Sequence, residues 1–356
     1  MIMFDSKKIF SKRLKSAREM KGLSMEGLSE KMDNIVSRQS IYKYEAAKML
    51  PDSIVLIKLA EVLNVKVDYF FRPFSVALTD IEFRKRAKMS EKERKSIQQR
   101  VMDHVERYFE IEDILGIEEN SAPGFVDKIV KTRRDAINIA QQLRQKWELG
   151  EDGITDVMNL LESKGIKIIE FNANDDFDGL SGTAGDDKII VLNSNIKSTE
   201  RKRFTAIHEL GHLIMKFDES LDDKTRESLC HSFASEFLIP LKVFKSILGD
   251  ISKSTLNMVA FAEIQHNFGI SIDALIKKAA DESMIAGNRQ KNYHIRKNMN
   301  PSFKQYVEKS RINSEIPHRF ISLVYEAYSK SLISVSKAAA LLNVPVNDVL
   351  DKALFV

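Results

Sequence analysis

Cysteine occurs once in the 356 residues, as Cys230, so no disulfide can close within the chain and nothing in the composition points to secretion. Tryptophan also occurs once, proline seven times and glycine fourteen times, too few for a Pro/Gly-rich low-complexity chain. Several of these breakers, Gly22, Pro51, Pro123, Pro240 and Gly269, fall between stretches of helical pattern and act as punctuation. Long apolar runs are missing as well. No segment reaches the length of a membrane span, and the opening MIMFDSKKIFSKR lacks the apolar core of a signal peptide. The expectation is a cytoplasmic protein with no membrane partner.

Net charge is small, 55 Lys+Arg against 51 Asp+Glu, but unevenly spread. Residues 1–75 hold fourteen basic and nine acidic side chains, a surplus of five, so the remainder is nearly balanced. A polyanion such as double-stranded DNA is attracted to that end, with an affinity that falls as salt rises. The length exceeds what one small core supports and suggests two or three domains.

The strongest chemical signal is RFTAIHELGHLIM. His208 and His212 are four residues apart, which puts both imidazoles on one helix face, within reach of one metal ion. Glu209 lies one step round the helix, poorly placed as a third ligand but able to take a proton from a metal-bound water, the general-base role. Phe204, Ile207, Leu210, Leu213 and Ile214 supply an apolar face, and Gly211 leaves room for close packing. A buried helix whose histidines merely hydrogen-bond to neighbours is the bland alternative. A catalytic zinc takes three protein ligands and leaves one position open, so a further donor is needed. TRESLCHSFASEFLIP reads as a second helix, with Leu229, Phe233 and Phe237 at helical spacing and Pro240 beyond its end; Glu227, His231 and Glu236 are its candidate donors.

Taken together, RFTAIHELGHLIM and ESLCHSFASEFLIP resemble the ImmA/IrrE family of metallopeptidases. The resemblance implies one zinc ion per chain held by His208, His212 and Glu227, with Glu209 as the catalytic base. It implies a surface or supporting role for Glu236. His231 stands where the family often has asparagine, which leaves open an orienting role, an oxyanion contact or a plain structural histidine. Cys230 aligns with a cysteine of the family and reads by default as a buried packing thiol. The stretch from Ala136 to Val191 resembles the family's lead-in: a helix with Leu143, Trp147 and Leu149, a helix ending at Gly165, and strands IKIIEF and KIIVLN. Gly179-Leu180-Ser181-Gly182, between the strands, reads as a turn before an exposed sheet edge on which substrate can add as a strand; an ordinary hairpin loop is the competing reading.

The N-terminal region carries helical patterns over Lys7 to Met20, Ser24 to Met32, Ser37 to Glu45, Asp52 to Leu63 and Val67 to Phe71, with Ser24, Ser37 and Asp52 as caps. Five short helices suit a helix-turn-helix domain, and the sequence here resembles the XRE (Cro/CI-type) repressor family. The resemblance implies that the helix starting at Ser37 enters the major groove, with Arg38, Gln39, Ser40 and Lys43 meeting bases and phosphates and Ile41 and Tyr44 in the core. KMDNIVS departs from the family: it is two residues longer than the usual turn and lacks its glycine, which implies a different helix angle or a weaker DNA affinity.

Between these regions, LTDIEFRKRAKMSEKERKSIQQRVMDHVERYFEIEDIL reads as one long charged helix with Ile97, Val101, Val105, Tyr108 and Phe109 as its stripe, and Glu118 to Gly124 as the break after it. After Pro240, FAEIQHNFGISIDALIKKA has the cadence of a helix-turn-helix, with Gly269 at the turn, Ser271 as cap and His266 exposed; LISVSKAAALLNVPVNDVLDKAL reads as a terminal helical cap. The expected fold is mainly α with a small β-sheet (α+β): a five-helix DNA-binding domain over 1–75, a linker helix over 76–120, a zincin-like peptidase domain over 125–248 and a C-terminal helical region over 249–356. The expected function is a DNA-binding regulator, acting as a homodimer, whose zinc endopeptidase cuts a repressor or antitoxin-like protein. The alternative is a transcription regulator, or a toxin-antitoxin or phage-defence component, whose peptidase domain senses or binds without cutting.

Overall fold

The computed structural model describes residues 6–73, 90–117, 129–174, 177–249 and 256–353. They form two compact units: residues 1–119 with 318–356, and residues 120–317, so the second unit is inserted in the chain of the first. The structure is mainly helical, with small sheets confined to the inserted unit.

In the first unit, α1 (Ser6–Met20), α2 (Met25–Lys31), α3 (Arg38–Glu45), α4 (Ser53–Leu63) and a 3-10 turn (Val67–Phe71) enclose a core of Phe10, Leu14, Leu28, Met32, Ile41, Leu59 and Phe70. Capping sets the starts: Ser24, Ser37 and Asp52 accept from the backbone N–H of Gly27, Ser40 and Val55, each cap contributing about 1 kcal/mol. The long connection between α2 and α3 turns without glycine. Asp33 and Asn34 adopt left-handed φ of 55° and 58°, a region these two residue types tolerate better than most, and Ser29 Oγ donates to Val36 O at 2.6 Å across the turn.

Helix α5 (Glu91–Leu115) follows, started by a capping box between Ser90 and Glu93. Its predicted extension over 78–89, and the predicted break at Glu118 to Gly124, lie outside the described residues. The α5 stripe buries Ile97, Val101, Val105 and Tyr108. Arg13 of α1 meets Glu106 at 2.6 Å with both side chains buried, and Arg72 reaches Asp103 at 2.8 Å.

The second unit begins with β1 (Ile129–Val130), α6 (Arg133–Lys146), α7 (Val157–Ser163), β2 (Lys167–Phe171), β3 (Gly179–Ala184) and β4 (Asp187–Asn193). Strand order is β2-β4-β3, with β2 parallel and β3 antiparallel to β4. The Gly179–Gly182 stretch, predicted as a turn, is the first part of β3. Its glycines and serine have low strand propensity, but the pairing Gly179 to Leu192 through Ala184 to Asp187 overrides it. Gly179 is required by packing, since a Cβ there would meet Thr205 Cγ2 and Val191 O at 2.9 Å.

Next come α8 (Thr199–Ile214), β5 (Lys216–Phe217), which pairs with β1, and α9 (Asp223–Leu238). Pro240 ends α9 and starts α10 (Leu241–Leu248), followed by α11 (Met258–Phe268), α12 (Ile272–Asp281), α13 (Gly287–Met299) and α14 (Pro301–Glu308). Gly269 closes α11 at φ 60°, where a Cβ would fall 1.8 Å from Arg203 Nη1, and Ser271 caps α12. Glu236, read from the sequence as a surface or supporting residue, is buried in this core. It meets Lys278 of α12 at 2.9 Å and accepts from Gln141 Nε2 at 2.9 Å, so it joins α9 to α12 and α6.

The chain then returns to the first unit as α15 (Arg319–Ser329), α16 (Val335–Leu342) and α17 (Val346–Ala353). The predicted 249–356 region is therefore divided at 317/318. The cause is packing: Phe320 lies 5.3 Å from the Tyr108 ring, and Arg319 pairs with Glu112 at 2.6 Å, so the last three helices share a core with α5.

Candidate metal centre

Two helices build the site. Helix α8 is pinned in its first half: Lys202 meets Glu170 at 2.5 Å, Arg203 meets Glu315 at 2.7 Å, and Arg203 also donates to Thr155 O at 2.9 Å. Gly211 allows α9 to come close, since a Cβ there would press on Phe233 Cδ1 at 3.0 Å and Met215 Cε at 3.2 Å. Cys230 packs at the same crossing and is fully buried.

This crossing brings His208, His212 and Glu227 together as a group able to hold a metal ion. The nitrogens His208 Nε2 and His212 Nε2 are 3.2 Å apart, with the Glu227 carboxylate 3.1 Å from the first and 3.2 Å from the second. Ligands about 2.0–2.1 Å from a tetrahedral zinc sit about 3.3–3.4 Å from one another. The observed triangle is close to three corners of that figure, and its donors, two imidazoles and a carboxylate, are of the types zinc accepts. The histidines are buried and Glu227 is half-exposed, leaving one side open. Hydrogen bonds from His208 and then His212 hold the Glu227 carboxyl well below the usual range. His208 Nδ1 is buried without a hydrogen-bond partner among the described residues, so the ring is oriented by what its Nε2 meets.

Glu209 is buried on the neighbouring side of α8, and its Oε2 accepts from Ser181 Oγ of β3 at 2.9 Å. Ser181 is the site residue that sequence reasoning missed. The two are 28 positions apart, and the only signal was the prediction of a sheet edge near the site. Strand β3 is an outer strand and pairs only with β4 among the described residues. His231 stands outside the triangle, exposed, with its ring 4.5 Å from that of His208 and stacked on Phe204 at 5.6 Å. His266 is exposed and far along α11, where Nδ1 lies 2.8 Å from Arg311 O.

In the first unit, Arg38, Gln39 and Lys43 of α3 are exposed, while Ile41 and Tyr44 are buried as predicted. Ser40 is half-buried, and its hydroxyl lies 3.1 Å from Ser37 Oγ, within the cap. Tyr42, not singled out from sequence, is exposed on the same helix.

Comparison with known families matches residues 161–279 to the IrrE N-terminal-like domain and residues 14–70 to the helix-turn-helix family. No curated protein matches the chain. The chain thus resembles a helix-turn-helix DNA-binding regulator near its N-terminus and a metallopeptidase in its central part. No described helix is long and apolar enough to cross a membrane.

Proposed function

We propose that the protein is a cytoplasmic, DNA-binding transcription regulator whose central domain is a zinc endopeptidase that cuts a repressor or antitoxin-like partner. The observation that carries this reading is the buried Glu209 beside the His208, His212 and Glu227 triangle. These three would hold one zinc ion per chain. When bound, zinc supplies Lewis acidity, making water more acidic and polarising a carbonyl oxygen.

The protein's own groups do the rest. Glu209 takes the proton of the attacking water and delivers it to the leaving amine, and Ser181 fixes the carboxylate for that transfer. The outer edge of β3, on the strand that carries Ser181, offers backbone groups to an extended peptide. His231, next to His208, is placed to orient the substrate or to donate to a developing oxyanion.

DNA binding falls to α3, with Arg38, Gln39, Ser40 and Lys43 meeting double-stranded DNA. A homodimer suits a two-fold operator. The exposed Ile54 and Ile57 of α4 provide apolar surface for a second copy. Tethering to DNA raises the effective concentration of a DNA-bound substrate without further affinity for the peptide.

The test is to incubate the purified protein, with and without zinc, with the proteins encoded by its neighbouring genes. A discrete cut that requires zinc and is absent in Glu209→Gln supports the reading. An unchanged biological output from Glu209→Gln favours a regulator that does not cut.

A further inference from the structure

Glu227, one corner of the triangle, and His231 form part of the wall of a cavity of about 890 Å³. Pockets of about 300–1,000 Å³ enclose whole ligands, so this volume accommodates several side chains. One face of α9 supplies Lys224, Ser228, Ser232 and Ser235 from successive turns; the start of α8 and part of α12 form further walls. Phe204, Ala274 and Val307 give it apolar patches.

The wall carries charges of both signs, and most of its cations are neutralised by carboxylates. Seven of the lining residues are Lys or Arg and four are Asp or Glu. Five of the cations have carboxylate partners: Arg201 meets Asp178 at 2.8 Å, Lys297 meets Asp273 at 2.6 Å, Lys278 meets Glu236 at 2.9 Å, Arg133 meets Glu282 and Lys277 meets Asp281. Lys197 and Lys224 have no ion-pair partner among the described residues, and both are exposed. Lys224 lies three residues before Glu227, on the same face of α9 and one turn from the metal triangle. Lys197 immediately precedes Ser198, the N-cap of α8, whose helix dipole adds positive potential there.

We infer that this cavity receives substrate side chains on one side of the scissile bond and selects acidic ones, with Lys197 and Lys224 as the specificity-determining residues. The inference rests on the peptidase reading for its placement beside the scissile bond. A peptide fits the cavity better than a nucleic acid. A phosphodiester chain carries a charge at every step and would be forced against Glu227, Asp273, Asp281 and Glu308, whereas a peptide can place one or two carboxylates at the lysines. Five serines in the wall offer hydrogen bonds to the peptide between those charges.

The test uses the full chain carrying Glu209→Gln, loaded with zinc, so that binding is read without turnover. Fluorescein-labelled hexapeptide pools, each with one position fixed as Glu, Gln or Lys, are titrated by anisotropy at low salt. One or two adjacent positions should favour Glu over Gln by about tenfold, the size of one charge-assisted contact. The double reversal Lys197→Glu with Lys224→Glu should turn that preference toward Lys while circular dichroism and zinc content stay unchanged. Equal affinity for Glu and Gln pools at every position overturns the inference, as does an absence of binding, or tighter binding of an oligonucleotide that competes with the peptides. Cleavage of the best pool by the wild-type protein separates the two claims. Preference without cleavage removes the peptidase and leaves an acidic-peptide site; cleavage without preference removes the subsite alone.

Discussion

Helices α3 and α8 carry the side chains proposed to meet DNA and to hold a metal, and they hold them in opposite ways. On α8, His208, Glu209 and His212 are buried, and their neighbours fix them: Ser181 on Glu209, Glu227 on both histidines, and the Lys202 and Arg203 ion pairs on the helix itself. On α3, Arg38, Gln39 and Lys43 are exposed, and among the described residues Arg38 meets a carboxylate only at Glu26, 3.9 Å away, a weak surface contact. The buried neighbours of α8 hold its donors converged to within a few tenths of an ångström of the spacing a zinc ion requires. A DNA-reading surface can leave its side chains solvated until the partner orders them. Variants should therefore behave differently in the two units.

The largest contrast comes from the metal ligands. His208→Ala or His212→Ala should reduce bound zinc from one per chain to none detectable by elemental analysis and leave DNA binding unchanged. Loss of DNA binding along with the metal would mean that the two units are not separable. Next is the buried pair in the first unit. Glu106→Ala strands the Arg13 charge and should cost about 3–5 kcal/mol of that unit's stability in denaturant unfolding, with zinc content preserved. A cost near zero would show that water solvates Arg13.

On α3, Arg38→Ala should lose about 1–3 kcal/mol of specific DNA affinity, while Lys43→Ala should flatten the salt dependence by about one phosphate contact. Equal losses on specific and random DNA for both variants would remove base reading from α3. A further effect concerns pH. Burial, with Arg107 nearby, pushes the His104 ring down to about 3, and its Nε2 has no hydrogen-bond partner among the described residues. The unfolded chain thus binds more protons than the folded one between about pH 6.5 and 3, and stability of the first unit should fall as pH drops through that window, by at most about 1.4 kcal/mol per unit. His104→Leu should remove that slope; an unchanged slope would assign it to other groups.

What was legible in the sequence follows from the range of the interactions. Helix period and capping are local, so the helices of 6–71 and the pairing of His208 with His212 were readable from spacing, while the buried Ile41 and Tyr44 came with the helix-turn-helix resemblance. Glu227 needed a family resemblance, since residues alone offered His231 and Glu236 as equal candidates. The roles of Ser181 and Glu236 depend on partners at Glu209 and Lys278, 28 and 42 positions away, and no local pattern reports them. The same holds for the division at 317/318, set by Phe320 against Tyr108. The turn between α2 and α3 shows the converse: Asp33 and Asn34 supply the left-handed backbone usually given to glycine, a substitution readable from residue type.

In the proposed function, Glu209 moves protons for peptide cleavage at a metal held by His208, His212 and Glu227. The direct measurement is a comparison of new protein N-termini in cells expressing the wild-type chain or Glu209→Gln, with the zinc content of both purified proteins determined in parallel. The account predicts equal zinc and one or a few N-termini found only with the wild type. Equal zinc with identical sets of N-termini would contradict it.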